Sequence, residues 1–204
     1  MSYSSRAKQI FTEEITELQR LSERIDSSFD RVVETILSCR GKLVLMGIGK
    51  TGIVAHKLAS SFASTGTPSI FVNAAEAVHG DLGMVSPDDV VMLVSNSGAT
   101  SEILNVIAPL RNIGCKLIAL TGNPQSALAT ESDVVLSVHV EHEVCPLGLA
   151  PTTSTTATLL MGDALMVCLM EQRHFKADNF ATYHPGGALG RQLLRKVRNR
   201  MSTD

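Results

Sequence analysis

Leu43-Val44-Leu45-Met46-Gly47-Ile48-Gly49-Lys50-Thr51-Gly52 opens on an unbroken apolar run and then turns into glycines. A run without polar alternation is the pattern of a strand buried on both faces. The glycines that follow permit a tight turn, and residues 51–64 then take up a helical pattern. Four further apolar runs repeat this theme downstream, at Ser69–Val72, Val90–Val94, Leu117–Leu120 and Val134–Val138. Helical patterns over 100–112 and 152–171 stand between or after them. Strands alternating with helices predict an α/β fold: one doubly wound, mainly parallel five-stranded sheet flanked by helices. Ligands in such sheets bind beyond the carboxyl ends of the strands, where loops meet helix N-termini.

Upstream, Phe11, Ile15, Leu18, Leu21, Ile25, Phe29, Val32 and Ile36 recur at spacings of three and four. That periodicity predicts one long amphipathic helix or a pair over 7–38. It holds no catalytic-looking cluster and reads as packing or oligomer surface. The domain division is therefore 1–40 for this helical segment and 41–200 for the α/β domain. Downstream, Arg191, Arg195, Lys196, Arg198 and Arg200 form a basic tail best read as a solvated helix face.

Composition narrows the function classes. A formal charge of -2 gives no global attraction to nucleic acid or anionic membrane, so an anionic ligand needs a local cluster of donors. With 4% aromatic residues and no Trp, stacking platforms for bases are not expected. Cys39, Cys115, Cys145 and Cys168 include no C-x-x-C pair, which argues against a disulfide framework or a metal cluster. The N-terminus lacks an apolar signal core, and the apolar run 157–170 is interrupted by Asp163 and short for a bilayer span. The expected setting is the reduced cytoplasm, with no membrane or nucleic-acid partner.

Two loops carry the chemistry. Gly47, Gly49 and Gly52 match the G-x-G-x-x-G dinucleotide spacing, but the acid expected about 20 residues onward is poorly met. The second strand ends at Val72-Asn73, with Glu76 three residues late. Gly49-Lys50-Thr51 imitates a P-loop, yet Val44 stands where its leading glycine belongs. What remains is a glycine loop that lets backbone approach a ligand, with Lys50 adding a cation. The second loop is Ser95-Asn96-Ser97-Gly98-Ala99-Thr100-Ser101, between the strand 90–94 and a helix. Hydroxyls and amides converging on a helix N-terminus suit a phosphate.

The Ser95–Thr100 loop resembles the phosphate loop of the sugar isomerase (SIS) family. Three longer stretches resemble the arabinose-5-phosphate isomerases within it: His79–Val85 (HGDLGMV), Cys145–Thr152 (CPLGLAPT) and His184–Arg191 (HPGGALGR). The likeness runs from about Gly41 to Arg191. It implies a flavodoxin-like SIS domain performing aldose–ketose isomerisation without a cofactor, on a pentose phosphate such as ribulose 5-phosphate or arabinose 5-phosphate. It places catalytic groups at Lys50, Glu102, Glu143 and His184, and substrate contacts at Gly49, Gly66, Thr67, His79, Ser95, Asn96, Ser97 and Thr100. Either Glu143 or Glu102 is the base on this reading. Partial burial is expected to raise the pKa of Glu143 toward the working range. Family members often carry histidine where this chain has Asn73, a poor metal ligand, so no metal site is expected. The resemblance further implies homotetramers whose sites lie between subunits, with His184 completing a neighbour's site. Members commonly continue into a pair of CBS modules, and this sequence stops near Met201, about where they would begin. Another phosphosugar isomerase, a phosphosugar-sensing module without turnover, and a dinucleotide oxidoreductase are the rival readings.

Overall fold

The computed structural model describes residues 1–186. The basic tail and the end of the 184–191 stretch lie outside the described residues. Five strands form one parallel sheet: β1 (Leu43–Gly47), β2 (Ser69–Asn73), β3 (Val90–Val94), β4 (Lys116–Thr121) and β5 (Val134–Ser137). Their order is β2-β1-β3-β4-β5, with every neighbouring pair parallel. In that order the direction of winding reverses between the neighbours β1 and β3, and the loops that follow them splay apart beyond their carboxyl ends.

The strands are apolar on both faces because both are covered. Leu43 and Leu45 of β1 enter one core with α3 (Gly49–Ser64), α2 (Ser27–Leu37) and α7 (Thr153–Gln172), while Val44 and Met46 enter a second core. That second core is closed by α4 (Ala74–Ala77), α5 (Ser101–Ile113) and α6 (Ala127–Thr130). The helical stretch upstream of the sheet is a pair. α1 (Tyr3–Glu23) ends before Asp26, whose carboxylate accepts the Ser28 amide at 2.8 Å and caps α2. Within one chain, Phe11 and Ile15 of α1 are exposed rather than packed. The last helix among the described residues, α8 (Ala177–Tyr183), precedes His184.

α7 corrects the reading of the apolar run 157–170 as short. At 20 residues it is long and apolar enough, by length and composition alone, to cross a membrane. Ala157, Met161, Leu165 and Leu169 are nevertheless buried in the core shared with α3. Gly162 permits the close contact, since a side chain there would fall on Leu58 of α3.

The amino end of the sheet is pinned by Asp89, which is 2% exposed. Its carboxylate accepts the Lys42 amide at 2.9 Å, the Lys42 ammonium at 2.7 Å and the Ser86 amide at 2.8 Å. Burial works to raise its pKa, but the hydrogen bonds from Lys42 and Ser86 prevail and hold it below the usual aspartate value. Asp89→Ala strands these donors and should cost about 3 kcal/mol at neutral pH. Because the folded-state pKa is depressed, this contribution is present above the unfolded pKa and is lost as pH falls through the folded one. Chemical denaturation should therefore show the gap between variant and wild type closing in acid.

Candidate active site

Three helix N-termini point into one cleft at the carboxyl edge of the sheet. At β1, Gly47 and Gly52 serve packing: a Cβ on Gly47 would stand 3.0 Å from the Gly52 backbone. The middle glycine differs. Gly49 has φ +59°, a left-handed conformation, and open space where a side chain would project. The backbone there is bare to a ligand, with Lys50 beside it. Lys50 is exposed and makes no ion pair among the described residues. No side chain caps the first turn of α3.

At β3, the Ser95–Thr100 loop curls over the start of α5. Ser95 and Thr100 share a hydroxyl–hydroxyl hydrogen bond of 2.9 Å, and the Gly98 amide donates to Ser95 Oγ at 3.1 Å. The Ala99 amide donates to Ser97 Oγ at 3.2 Å. Thr100 is the N-cap of α5 but makes no side-chain cap. Glu102 bends back onto this turn, accepting the Ser101 hydroxyl at 2.8 Å. A hydrogen bond from its own amide, helped by that hydroxyl, holds its carboxyl below the usual glutamate value.

The third wall is the loop after β5. Glu143 Oε2 accepts the Thr152 amide at 2.7 Å, the Thr152 hydroxyl at 2.8 Å and the Ser154 amide at 3.3 Å. The carboxylate thereby caps α7, where the helix dipole favours a negative charge. The expected rise in pKa is overturned. Burial does push it up, but Ser154 and Thr152 outweigh it and the carboxyl lies below its ordinary value. Thr152 and Ser154 were not singled out by residue type, because threonines and serines at a helix start look like ordinary caps.

These walls enclose a cleft of about 440 Å³ lined by Lys50, Asn96, Ser97, Thr100, Glu143 and the 148–151 loop. Gly49, Ser95 and Glu102 do not themselves line it. His184 is apart from it: its Nδ1 lies 2.9 Å from the Phe180 carbonyl and its ring stacks on Phe180 at 3.7 Å. His79 is exposed just after α4. Gly66 and Thr67 precede β2, at the opposite edge of the sheet, and do not line this chain's cleft. Gly66 packs against the Phe175 ring and Thr67 is buried. Asn73 caps α4, accepting the Ala75 amide at 3.0 Å. A larger groove of about 740 Å³ runs between α1 and His142–Val144, and Glu143 lines both.

The cleft has donors for an anion at one end and an ionised carboxylate at the other. The SIS domain model matches residues 36–168, which contain all three walls. The chain belongs to the SIS domain family. Among SIS relatives, arabinose 5-phosphate isomerase KdsD of Escherichia coli K12 is 51% identical over 201 residues, covering 98% of this chain and 61% of that protein. Arabinose 5-phosphate isomerase KpsF of Escherichia coli is 48% identical over 198 residues, covering 97% and 62%. The chain thus spans about three-fifths of the length of these relatives. The solved structure of E. coli CFT073 c3406 in complex with arabinose 5-phosphate is 43% identical, with a TM-score of 0.87, covering 91% of this chain and all of that one.

Proposed function

We propose that this SIS domain is an arabinose-5-phosphate isomerase, interconverting arabinose 5-phosphate and ribulose 5-phosphate. The observation that carries the reading is the single cleft in which the Ser95–Thr100 donor loop, Lys50 and the ionised Glu143 face one another. The names of the relatives and the sugar-phosphate complex of the c3406 protein support the choice of sugar. The phosphate sits on the β3 loop, and the open-chain sugar reaches toward Glu143. Glu143 removes the proton on C2 of the aldose, electrons pass onto the carbonyl oxygen, and an enediolate forms. Returning the proton to C1, with proton exchange between the two oxygens, gives the ketose. Lys50 offsets the developing negative charge. Glu102 is the second candidate base, and His184, from a neighbouring subunit of a homotetramer, assists ring opening or proton exchange between oxygens. The product feeds Kdo synthesis for lipopolysaccharide or capsule, in the cytoplasm.

The test offers the purified protein a panel of pentose, hexose and heptose phosphates. The expected result is interconversion of the pentose pair alone. Tight binding without turnover would replace this reading with a phosphosugar sensor, and turnover of a heptose or hexulose phosphate would replace the substrate.

A further inference from the structure

α1 lies far from the cleft in sequence, and only two of its residues are buried, Leu21 and Glu17. Leu21 joins the core beneath the sheet. Glu17 does not; it is 4% exposed and faces the loop that leads into Glu143. Its Oε2 accepts the Glu141 amide at 2.7 Å, and its Oε1 accepts Arg20 at 2.5 Å. Two helical turns beyond Glu17, the α1 C-cap residue Arg24 donates to the His139 carbonyl at 2.6 Å and to the Glu141 carboxylate at 3.2 Å. The same loop is tied to β4 by His139, whose Nδ1 lies 2.9 Å from the Gly122 carbonyl. A buried carboxylate is costly unless it is paired and hydrogen-bonded. Here both oxygens are engaged, and one engagement fixes backbone two residues before Glu143.

We propose that Glu17 is a positioning residue for Glu143: its carboxylate holds the Glu141 amide and so sets where the loop places the base. This rests on the reading of Glu143 as the carbon-acid base. On the α7 side Glu143 is anchored by Thr152 and Ser154, and on the other its backbone is anchored by α1. A helix that looks like packing surface thereby acts on the cleft through the Glu17–Glu141 hydrogen bond, with the Arg24 bonds holding the same loop beside it. Small displacements of a reacting group carry large rate penalties.

The test measures kcat and KM for arabinose 5-phosphate in Glu17→Ala, Glu17→Gln, Glu143→Gln and the Glu17→Ala/Glu143→Gln double variant. Glu17→Ala should lower kcat by about 30-fold. Its KM should stay near wild type, because the phosphate loop is untouched. Glu17→Gln should recover most of the loss, since its carboxamide oxygen can still accept the Glu141 amide. On the Glu143→Gln background, Glu17→Ala should remove no further rate, as expected of residues acting as one unit. Should Glu17→Ala not fold, Glu17→Asp, shorter by one methylene, should show the same kcat loss at constant KM. Wild-type kcat in the Glu17 variant, or an equal loss on both backgrounds, overturns this inference while Glu143→Gln keeps its own measurable kcat deficit. Full turnover by Glu143→Gln instead overturns the base assignment, and the positioning role with it.

Discussion

Glu143→Gln should lower kcat for the pentose phosphate pair by about 10³-fold, with little change in KM, the scale of losing a positioned general base. The substitution is close to isosteric. A carboxamide oxygen can still accept the Thr152 and Ser154 donors that now hold Oε2, so the start of α7 should survive. What disappears is the capacity to take a proton from carbon. The pH profile adds an independent check. Burial disfavours ionisation of Glu143, but hydrogen bonds from Ser154 and Thr152 more than offset it, so the carboxyl lies below its ordinary value. The base form therefore persists throughout the neutral range and is lost only as pH falls through that depressed pKa. The acid limb of kcat/KM should lie below the usual glutamate range. A limb near neutrality would assign the titration to another group. Unchanged turnover in Glu143→Gln, with collapse in Glu102→Gln, would move the base to α5.

A depressed pKa and a proton abstraction from carbon pull in opposite directions, since a weaker base has less driving force. With Glu143 as the proposed base, geometry offers a way out of the tension. All three hydrogen bonds to Glu143 fall on Oε2. One oxygen is thus fixed as an anchor, and on the proposed mechanism rate comes from orientation and from the anion-favouring helix starts beside the cleft.

β1, β3 and β4 could be read from sequence because burial on both faces leaves continuous apolar runs, and the half-buried edge strands β2 and β5 keep short apolar runs of their own; each prediction falls within a residue of the observed strand. α4 and α6 escaped because four residues cannot display a helical period. The Ser95–Thr100 loop was legible for a local reason: its hydroxyls, its glycine and the helix it opens are contiguous. Glu143 was legible only as a position. Its partners lie nine and eleven residues on, across a turn whose path the residue types do not specify. Partial burial alone predicted the wrong direction for its pKa, since it omits those donors. Glu17 was wholly hidden, because one acid on an amphipathic helix resembles any solvated acid, and its partner lies 124 residues away. Gly66 and Thr67 illustrate the converse. Likeness to a family marks positions, while parallel topology puts the residues before a strand at the sheet edge opposite this chain's own cleft.

Gly98→Ala should reduce kcat/KM by about 10²-fold, chiefly through KM, because it breaks the phosphate anchor and leaves the base alone. Two effects combine at this position. Gly98 has φ +62°, a conformation that costs an L-residue on the order of 1–2 kcal/mol. A Cβ there would also run into the Ser126 side chain and stand 3.0 Å from Thr121 Oγ1, neither of which is the free end of a long flexible group. The loop must shift, and with it go the Gly98 amide on Ser95 and the bond from the Leu128 amide to the Gly98 carbonyl at 3.0 Å. A phosphate anchored on this loop, as proposed, is held equally in ground state and transition state, so its loss is a binding loss. Inorganic phosphate gives a direct readout: its inhibition constant should rise in parallel with KM, while the pH profile set by Glu143 stays where it was. Ser97→Ala, at an exposed position whose hydroxyl accepts only the Ala99 amide, should move KM in the same direction by a smaller factor without loss of stability. A Gly98→Ala enzyme with unchanged KM and unchanged phosphate inhibition would mean that the anion lies elsewhere, and the neighbouring uncapped start of α3 beside Lys50 would then have to hold it.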